Sequence, residues 1–272
     1  MSLSMILPSR DDVVHLYEII DTLGALPLKI QILLVDSGSS SSNREVLVDV
    51  VNHYAARQLD VSLVSSPIGL GRALAAGFRV ARYPKVGWFP TDGQLDICTL
   101  KDMCLASQSN DGVFVTRLNY RAVISPSRHL IARLNQFLIK NVLKLEDLDF
   151  TGSYVVSAKL IDDLPLAFQT AAVNWAILHK FLADGGEVCE LRVRLLRRDF
   201  GGSRISLREK IRYPLELIWY SNRYTHMLYE RPRLKSADNG RGIRPRSTRP
   251  TTSPSSYPAQ HSLAPGVHEA EQ

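Results

Sequence analysis

A chain of 272 residues, 45% hydrophobic and 22% charged, has ordinary globular composition and enough length for one large or two small domains. Three cysteines, Cys98, Cys104 and Cys189, show no CxxC pairing and leave one over in any disulfide scheme; this excludes a disulfide-stapled scaffold and fits inert thiols in a reducing cytoplasm. No run of about 18 apolar residues is present to cross a membrane, and "MSLSMILPSRDD" lacks the charged-then-apolar pattern of a signal peptide. The net charge of +6 is uneven, because Glu190 to Arg249 holds 16 Lys and Arg against 6 Asp and Glu. A basic C-terminal third can meet nucleotide phosphates, an anionic membrane or nucleic acid, or can simply be solvated.

In chain order, "LSMILP" (3–8), "IQILLVD" (30–36), "DVSLVSS" (60–66) and "KVGWFP" (85–90) are short apolar runs that predict buried strands. Helical periodicity between them predicts helices from Asp11 to Leu23, Asn43 to Arg57 and Gly69 to Arg82. A helix over 97–108, a strand over 111–116, a helix over 127–143 and the strand and short helix of "FTGSYVVSAKLI" follow. A helix over 171–185, ended by Gly185 and Gly186, leads to a strand over 187–198. Ser206 to Tyr229 is an amphipathic helical pattern with Leu207, Ile211, Leu215 and Ile218 on one face and a bend expected at Pro214. Residues 236–272 are rich in Pro, Ser, Thr, Gly and Arg and carry too few apolar groups to offset the entropy of ordering, so a disordered basic tail is expected. Strand–helix alternation predicts an α/β sandwich with a mainly parallel sheet, whose ligands bind beyond the carboxyl ends of the strands. Three acids, Asp12, Asp36 and Asp92, stand at or just past such ends.

Five stretches can carry chemistry, and each has an ordinary alternative. In "ILPSRDD", Asp11 and Asp12 can cap a helix as readily as bind a ligand. "LLVDSGSSSSN" offers Asp36 to a base or ribose beside a small-residue turn, as any strand–helix loop could. "SPIGLGRALAAGF" opens a helix at Gly69 and Gly71, whose amides could face phosphate, with Arg72 adding charge. It is neither the dinucleotide fingerprint nor a P-loop, since the third glycine and the GK[ST] are missing. In "FPTDGQLD", Asp92 could ligate a cation shared with a diphosphate, or Asp92-Gly93 could simply close a turn. "RRDFGGSR" (197–204) is a cationic loop suited to phosphate.

In this order the five stretches resemble the family 2 glycosyltransferases of GT-A fold, in particular the dolichol-phosphate mannose synthase-like, polyprenyl-phosphate branch. "PSRDD" stands where that family has Pro-x-x-Asn-Glu, with Asp12 at the glutamate. "VDSGS" stands for Val-Asp-Asp-Gly-Ser, with Ser37 replacing an aspartate, and "GLGRALAAGF" for the glycine-rich helix start. "PTDGQLD" stands for the Asp-x-Asp-Gly-Gln metal turn, with Pro90 at the first aspartate. "AILHK…GGEVCELRVRLLRRDFGGSR" follows the C-terminal pattern, with Ala176 replacing a glutamate and Arg204 a lysine.

The resemblance implies a three-layer α/β/α GT-A domain over 1–205, a helical extension over 206–235 and the tail over 236–272. It implies transfer of a sugar, with inversion, from a GDP- or UDP-linked donor to an acceptor such as a polyprenyl phosphate. Pro8, Asp12, Asp36, Gly38, Ser39, Gly69, Gly71, Arg72 and Gln94 would hold the donor, and Asp92 would hold Mg²⁺ or Mn²⁺. Arg198, Ser203 and Arg204 would bind phosphate, and Asp96 is the nearby carboxylate for a catalytic role. A nucleotide-binding relative without activity is the alternative, because one metal carboxylate is missing. The first strand lacks the start motif of a sugar nucleotidyltransferase, and the tail's arginines are not interleaved with aromatics as nucleic-acid binding would favour. The helix from Ser206 could lie on an anionic membrane through Arg208, Lys210, Arg212, Trp219 and Tyr220, or pack on the domain.

Overall fold

The computed structural model describes residues 1–118, 137, 139–141, 143, 145, 150–196 and 206–224. Its sheet has seven strands: β1 (Ser2–Ser9), β2 (Lys29–Asp36), β3 (Asp60–Ser65), β4 (Lys85–Trp88), β5 (Gly112–Arg117), β6 (Phe150–Ser157) and β7 (Val188–Val193). The helices are α1 (Leu16–Gly24), α2 (Ser41–Ala55), α3 (Leu70–Val80), α4 (Ile97–Ala106), α5 (Ala158–Asp162), α6 (Ala172–Ala183) and α7 (Leu207–Tyr224). The strand order is β3-β2-β1-β4-β6-β5-β7. Four pairs are parallel, and only β6 runs against its neighbours β4 and β5. The expected mainly parallel α/β sandwich is therefore present.

The apolar runs are continuous because both faces of the sheet are covered. Leu3, Met5 and Leu7 of β1 pack with Leu16, Ile20, Leu47, Leu100 and Met103, under α1, α2 and α4. Ile6, between them in sequence, joins Leu74, Phe78, Ile177 and Leu217, under α3, α6 and α7. Alternate residues of one strand thus feed two layers, as the two-residue repeat of a strand requires.

The chain builds β1, β2 and β3 toward one edge and then returns to place β4 on the other side of β1. That reversal opens a crevice beyond the carboxyl ends of β1 and β4, the position at which open α/β sheets bind ligands.

Several boundaries differ from expectation. Helix α1 begins at Leu16 rather than Asp11, because Asp11 takes a left-handed backbone (φ 61°) and its carboxylate turns to the next loop. The last strand stops at Val193, and α7 runs through Pro214 as one helix. Gly185 closes α6 with φ 80°, as a helix C-terminus favours. The helix expected over 127–143 lies almost wholly outside the described residues, as does everything from 225 on, the basic tail included. All three cysteines are free, and Cys104 is buried, but Cys98 is exposed rather than a core thiol. Among the described residues no helix is long and apolar enough to cross a membrane.

Candidate functional site

Three strand ends are laced together at the crevice. The Pro8 carbonyl accepts from the Thr91 hydroxyl at 3.0 Å. The Ser9 carbonyl accepts from the Ser37 amide at 2.9 Å, and the Phe89 amide reaches the Ile6 carbonyl at 3.0 Å. Asp11, expected at the start of α1, instead accepts the Ser40 amide at 2.7 Å and the Asn43 side chain at 3.0 Å, which places it at the N-terminus of α2. Its own amide donates to the Ser39 hydroxyl at 3.0 Å. These bonds hold Asp11 in its left-handed conformation and join the loops after β1 and β2. Asp12, half-buried beside it, accepts the Ser9 hydroxyl on its carbonyl at 3.1 Å.

Asp36 is only 3% exposed at the end of β2. Its Oδ1 accepts the Ser39 amide at 2.8 Å, and its Oδ2 lies 4.0 Å from the Arg44 guanidinium. Gly38 makes this turn feasible with φ 81°, and a Cβ there would come within 2.8 Å of Ile68. Ser37 is buried, and its hydroxyl accepts the Gly69 amide at 3.2 Å while donating to the Pro67 carbonyl at 3.2 Å. A carboxylate at this position could not donate to that carbonyl, which accounts physically for a serine here.

The turn after β4 carries Asp92, whose Oδ1 accepts the Gln94 amide at 3.2 Å. Gly93 follows with φ 71°, and a Cβ on it would sit 2.5 Å from Nε2 of His15. The imidazole therefore rests on the Asp92–Gly93 turn. The Gln94 carbonyl accepts the Leu196 amide at 2.9 Å, so the exit of β7 abuts the same turn. Its continuation, with Arg198, Ser203 and Arg204, lies outside the described residues.

Two groups of expected site residues have partners within the fold. Gly69 and Gly71 do open α3, but their amides bond within the chain, to Ser37 and to the Gln169 carbonyl (3.2 Å). A Cβ on Gly71 would lie 2.6 Å from the Thr170 carbonyl oxygen and 2.8 Å from that of Phe168. Close backbone approach accounts for both glycines within the fold. Arg72 lies on the α3 surface, 3.4 Å from the Ile68 carbonyl of its own turn. Asp96, named for a catalytic role, is the exposed N-cap of α4, its carboxylate accepting the Cys98 amide at 2.7 Å. A hydrogen bond between the Cys98 thiol and that carboxylate, with the carboxylate's charge, pushes the thiol pKa up.

The crevice thus gathers Pro8, Asp12, Asp36, Gly38, Ser39, Asp92 and Gln94. It adds two residues that sequence reasoning missed as contributors, His15 and Ser37. No spacing links His15 to Gly93, 78 positions on, so only the tertiary contact reveals it. Among the described residues no three His, Cys, Asp or Glu side chains cluster to hold an ion. The donor set fits a cation that takes most of its oxygens from a diphosphate and a carboxylate from the turn.

Residues 4–164 match the family described as Glycosyl transferase family 2. No curated protein matches the chain by sequence. Among solved structures it is similar to glucosyl-3-phosphoglycerate synthase from Mycobacterium tuberculosis in complex with Mn²⁺, UDP-glucose and phosphoglyceric acid, with a TM-score of 0.59 at 15% identity over 81% of this chain and 80% of that one. The same enzyme in complex with Mn²⁺, UDP and glucosyl-3-phosphoglycerate gives 0.57 at 16% identity, over 80% and 78% of the two chains. At such identities the likeness is one of fold.

Proposed function

Because the chain belongs to glycosyl transferase family 2, we propose that it transfers a sugar from a nucleotide-diphosphate sugar, of the uridine class, to an acceptor that carries a phosphate. The observation that carries this reading is that Asp36, 3% exposed, and the Asp92 turn stand at or just past the ends of the strands on either side of β1, where the strand order reverses. Asp36 and Asp12, framed by Pro8, Gly38 and Ser39, would hold the base and ribose. Asp92 would present its carboxylate to Mn²⁺ or Mg²⁺ at the diphosphate, with Gln94 beside it. A divalent cation bound there supplies charge neutralisation for the departing nucleotide diphosphate. Arg198, Ser203 and Arg204 would bind a phosphate of donor or acceptor through charge-assisted hydrogen bonds. The Mn²⁺, UDP-glucose and phosphoglyceric acid bound by the similarly folded synthase support the donor class, the ion and a phosphate-bearing acceptor.

A phosphate oxygen that attacks the anomeric carbon is already anionic at neutral pH and needs no protein base. This suits a turn whose other carboxylate, Asp96, caps α4. Attack from the face opposite the leaving diphosphate would invert the anomeric centre. A polyprenyl phosphate is one acceptor of this kind.

Pro90, at the position of a second metal carboxylate, favours the rival reading of a nucleotide-binding relative without turnover. A thermal-shift screen of UDP- and GDP-sugars, with and without Mn²⁺, separates the two when coupled to detection of released nucleotide diphosphate. Mn²⁺-dependent stabilisation by a UDP-sugar, with release on adding a phosphate acceptor, is the expected result. Metal-independent binding without turnover supports the silent relative. Binding of no nucleotide sugar overturns both.

A further inference from the structure

Helix α7 has two apolar faces, and among the described residues only one is packed into the core. Leu217 and Tyr220 are 0% and 2% exposed and join the core cluster under α3 and α6, with Tyr213 and Tyr224 packed beside them. Glu216 fastens this side, its carboxylate accepting the amides of Gln169 (3.0 Å) and Thr170 (3.1 Å) and the Thr170 hydroxyl (2.6 Å). The other face carries Ile211, Leu215, Ile218 and Trp219, which are 58%, 59%, 39% and 40% exposed. Their three- and four-residue spacing makes them one stripe. Sequence periodicity selected this stripe, with Leu207, as the apolar face; the structure leaves its described members outside. Tyr220, which the sequence offered either to a membrane or to packing on the domain, is in the core.

The exposed charge around the stripe is basic. Arg208 lies on the same arc and Arg223 flanks its far end, both exposed, and Arg212 borders it. Arg208, Arg212 and Glu216 wall a groove of about 650 Å³ floored by Ile211, Leu215 and Trp219. The two acids of the helix are engaged elsewhere. Glu216 holds Gln169 and Thr170, and Glu209 accepts the Ser206 amide and hydroxyl at 2.8 and 2.9 Å. An exposed aliphatic stripe with a tryptophan, rimmed by arginines and bordered by one carboxylate, Glu216, that the fold already holds, is the pattern of a helix lying in the headgroup layer of an anionic bilayer. Arg212 already pairs with Glu216 at 3.7 Å and donates to Gln169, which leaves Arg208 and Arg223 as the exposed cations of this face. A second copy docked by antiparallel symmetry would set Arg208 near Arg223, whereas lipid phosphates would neutralise both.

We infer that the outward face of α7, Arg208 to Arg223, docks on an anionic lipid surface. This surface is independent of the transfer chemistry, and its test uses no sugar donor. The chain has three tryptophans, and Trp88 and Trp175 are 5% and 8% exposed. A change of emission on contact with lipid therefore reports Trp219.

The full chain is titrated with vesicles of phosphatidylcholine alone and of equal parts phosphatidylcholine and phosphatidylglycerol, with sedimentation run in parallel. Expected are a blue shift with the anionic vesicles only, and quenching when the lipids are brominated. Leu215→Ser should weaken binding about tenfold, the scale of one buried leucine. Arg208→Glu should weaken it at least fivefold, the scale of one surface cation at such a membrane. Sedimentation with unaltered Trp219 emission would assign binding to the basic tail and overturn the inference. So would a shift that grows with protein concentration without lipid, which would mark a second copy, or a Leu215→Ser protein that binds undiminished. Should a variant fail to fold, the emission and bromolipid quenching of the unaltered chain decide.

Discussion

Lowering the pH from 7 to 5 should loosen the seam between α6 and α7 by an amount set by one histidine. His179 is 4% exposed, and its Nδ1 lies 3.2 Å from the Tyr220 hydroxyl. That hydroxyl also lies 3.2 Å from the Ala176 carbonyl; when it donates its single proton there, Nδ1 carries the imidazole hydrogen. Burial lowers the His179 pKa from 6.5 to about 4. The folded value lies below the unfolded one, so the neutral form is the one the fold accepts. Its contribution is complete above pH 6.5 and is lost as pH falls toward 4, where the unfolded chain takes up a proton that the folded chain refuses. Linkage puts the loss at about 2 kcal/mol at pH 5, with a ceiling of about 3 kcal/mol below pH 4. Urea unfolding at pH 7 and pH 5, on the natural chain and on His179→Gln, isolates the effect because the other titrating groups are common to both. The natural chain should lose about 2 kcal/mol more than the variant between the two pH values. Equal pH dependence in the two proteins would refute the reasoning.

Pro90→Asp should tighten Mn²⁺ binding in the presence of UDP by about tenfold, read by calorimetry, since about 1.4 kcal/mol from a second carboxylate is tenfold in affinity; unchanged affinity would remove Pro90 from the metal turn. Gly71→Ala should destabilise the chain by about 1–3 kcal/mol in urea, because its new methyl meets the backbone of Phe168–Thr170 rather than a yielding side chain. Wild-type stability would show that this segment moves freely. Gly93→Ala should cost about 1–3 kcal/mol from its left-handed backbone and the contact with His15. Most of the contact's share should return in a His15→Ala background, and a cost identical in both backgrounds would mean the imidazole is easily displaced.

Much of the sheet was legible in the sequence because a strand buried on both faces needs an unbroken apolar run, and β1 and β2 are such runs. Asp36 and Asp92 could be placed at or just past strand ends for the same reason: one closes an apolar run and the other stands two residues beyond one. Other pairings were not legible, since they join residues far apart in sequence. Asp11 binds the start of α2, His15 rests on Gly93, and Gly71 lies against the 168–170 backbone. A local capping rule sees an acid before a helix but not which helix its carboxylate reaches. A glycine motif announces close approach but not to what.

By itself, the sequence determined the alternation of strands and helices, and the positions of the acids beyond the strand ends, because hydrophobic period and turn chemistry are local properties. The tertiary structure decided which glycines face backbone, that Asp96 caps α4, and which face of α7 is inside. That last choice had no local signal, because Leu217 and Tyr220 on one side and Leu215 and Trp219 on the other are both apolar. Only the room left above α6, and the amides of Gln169 and Thr170 waiting for Glu216, select the buried one.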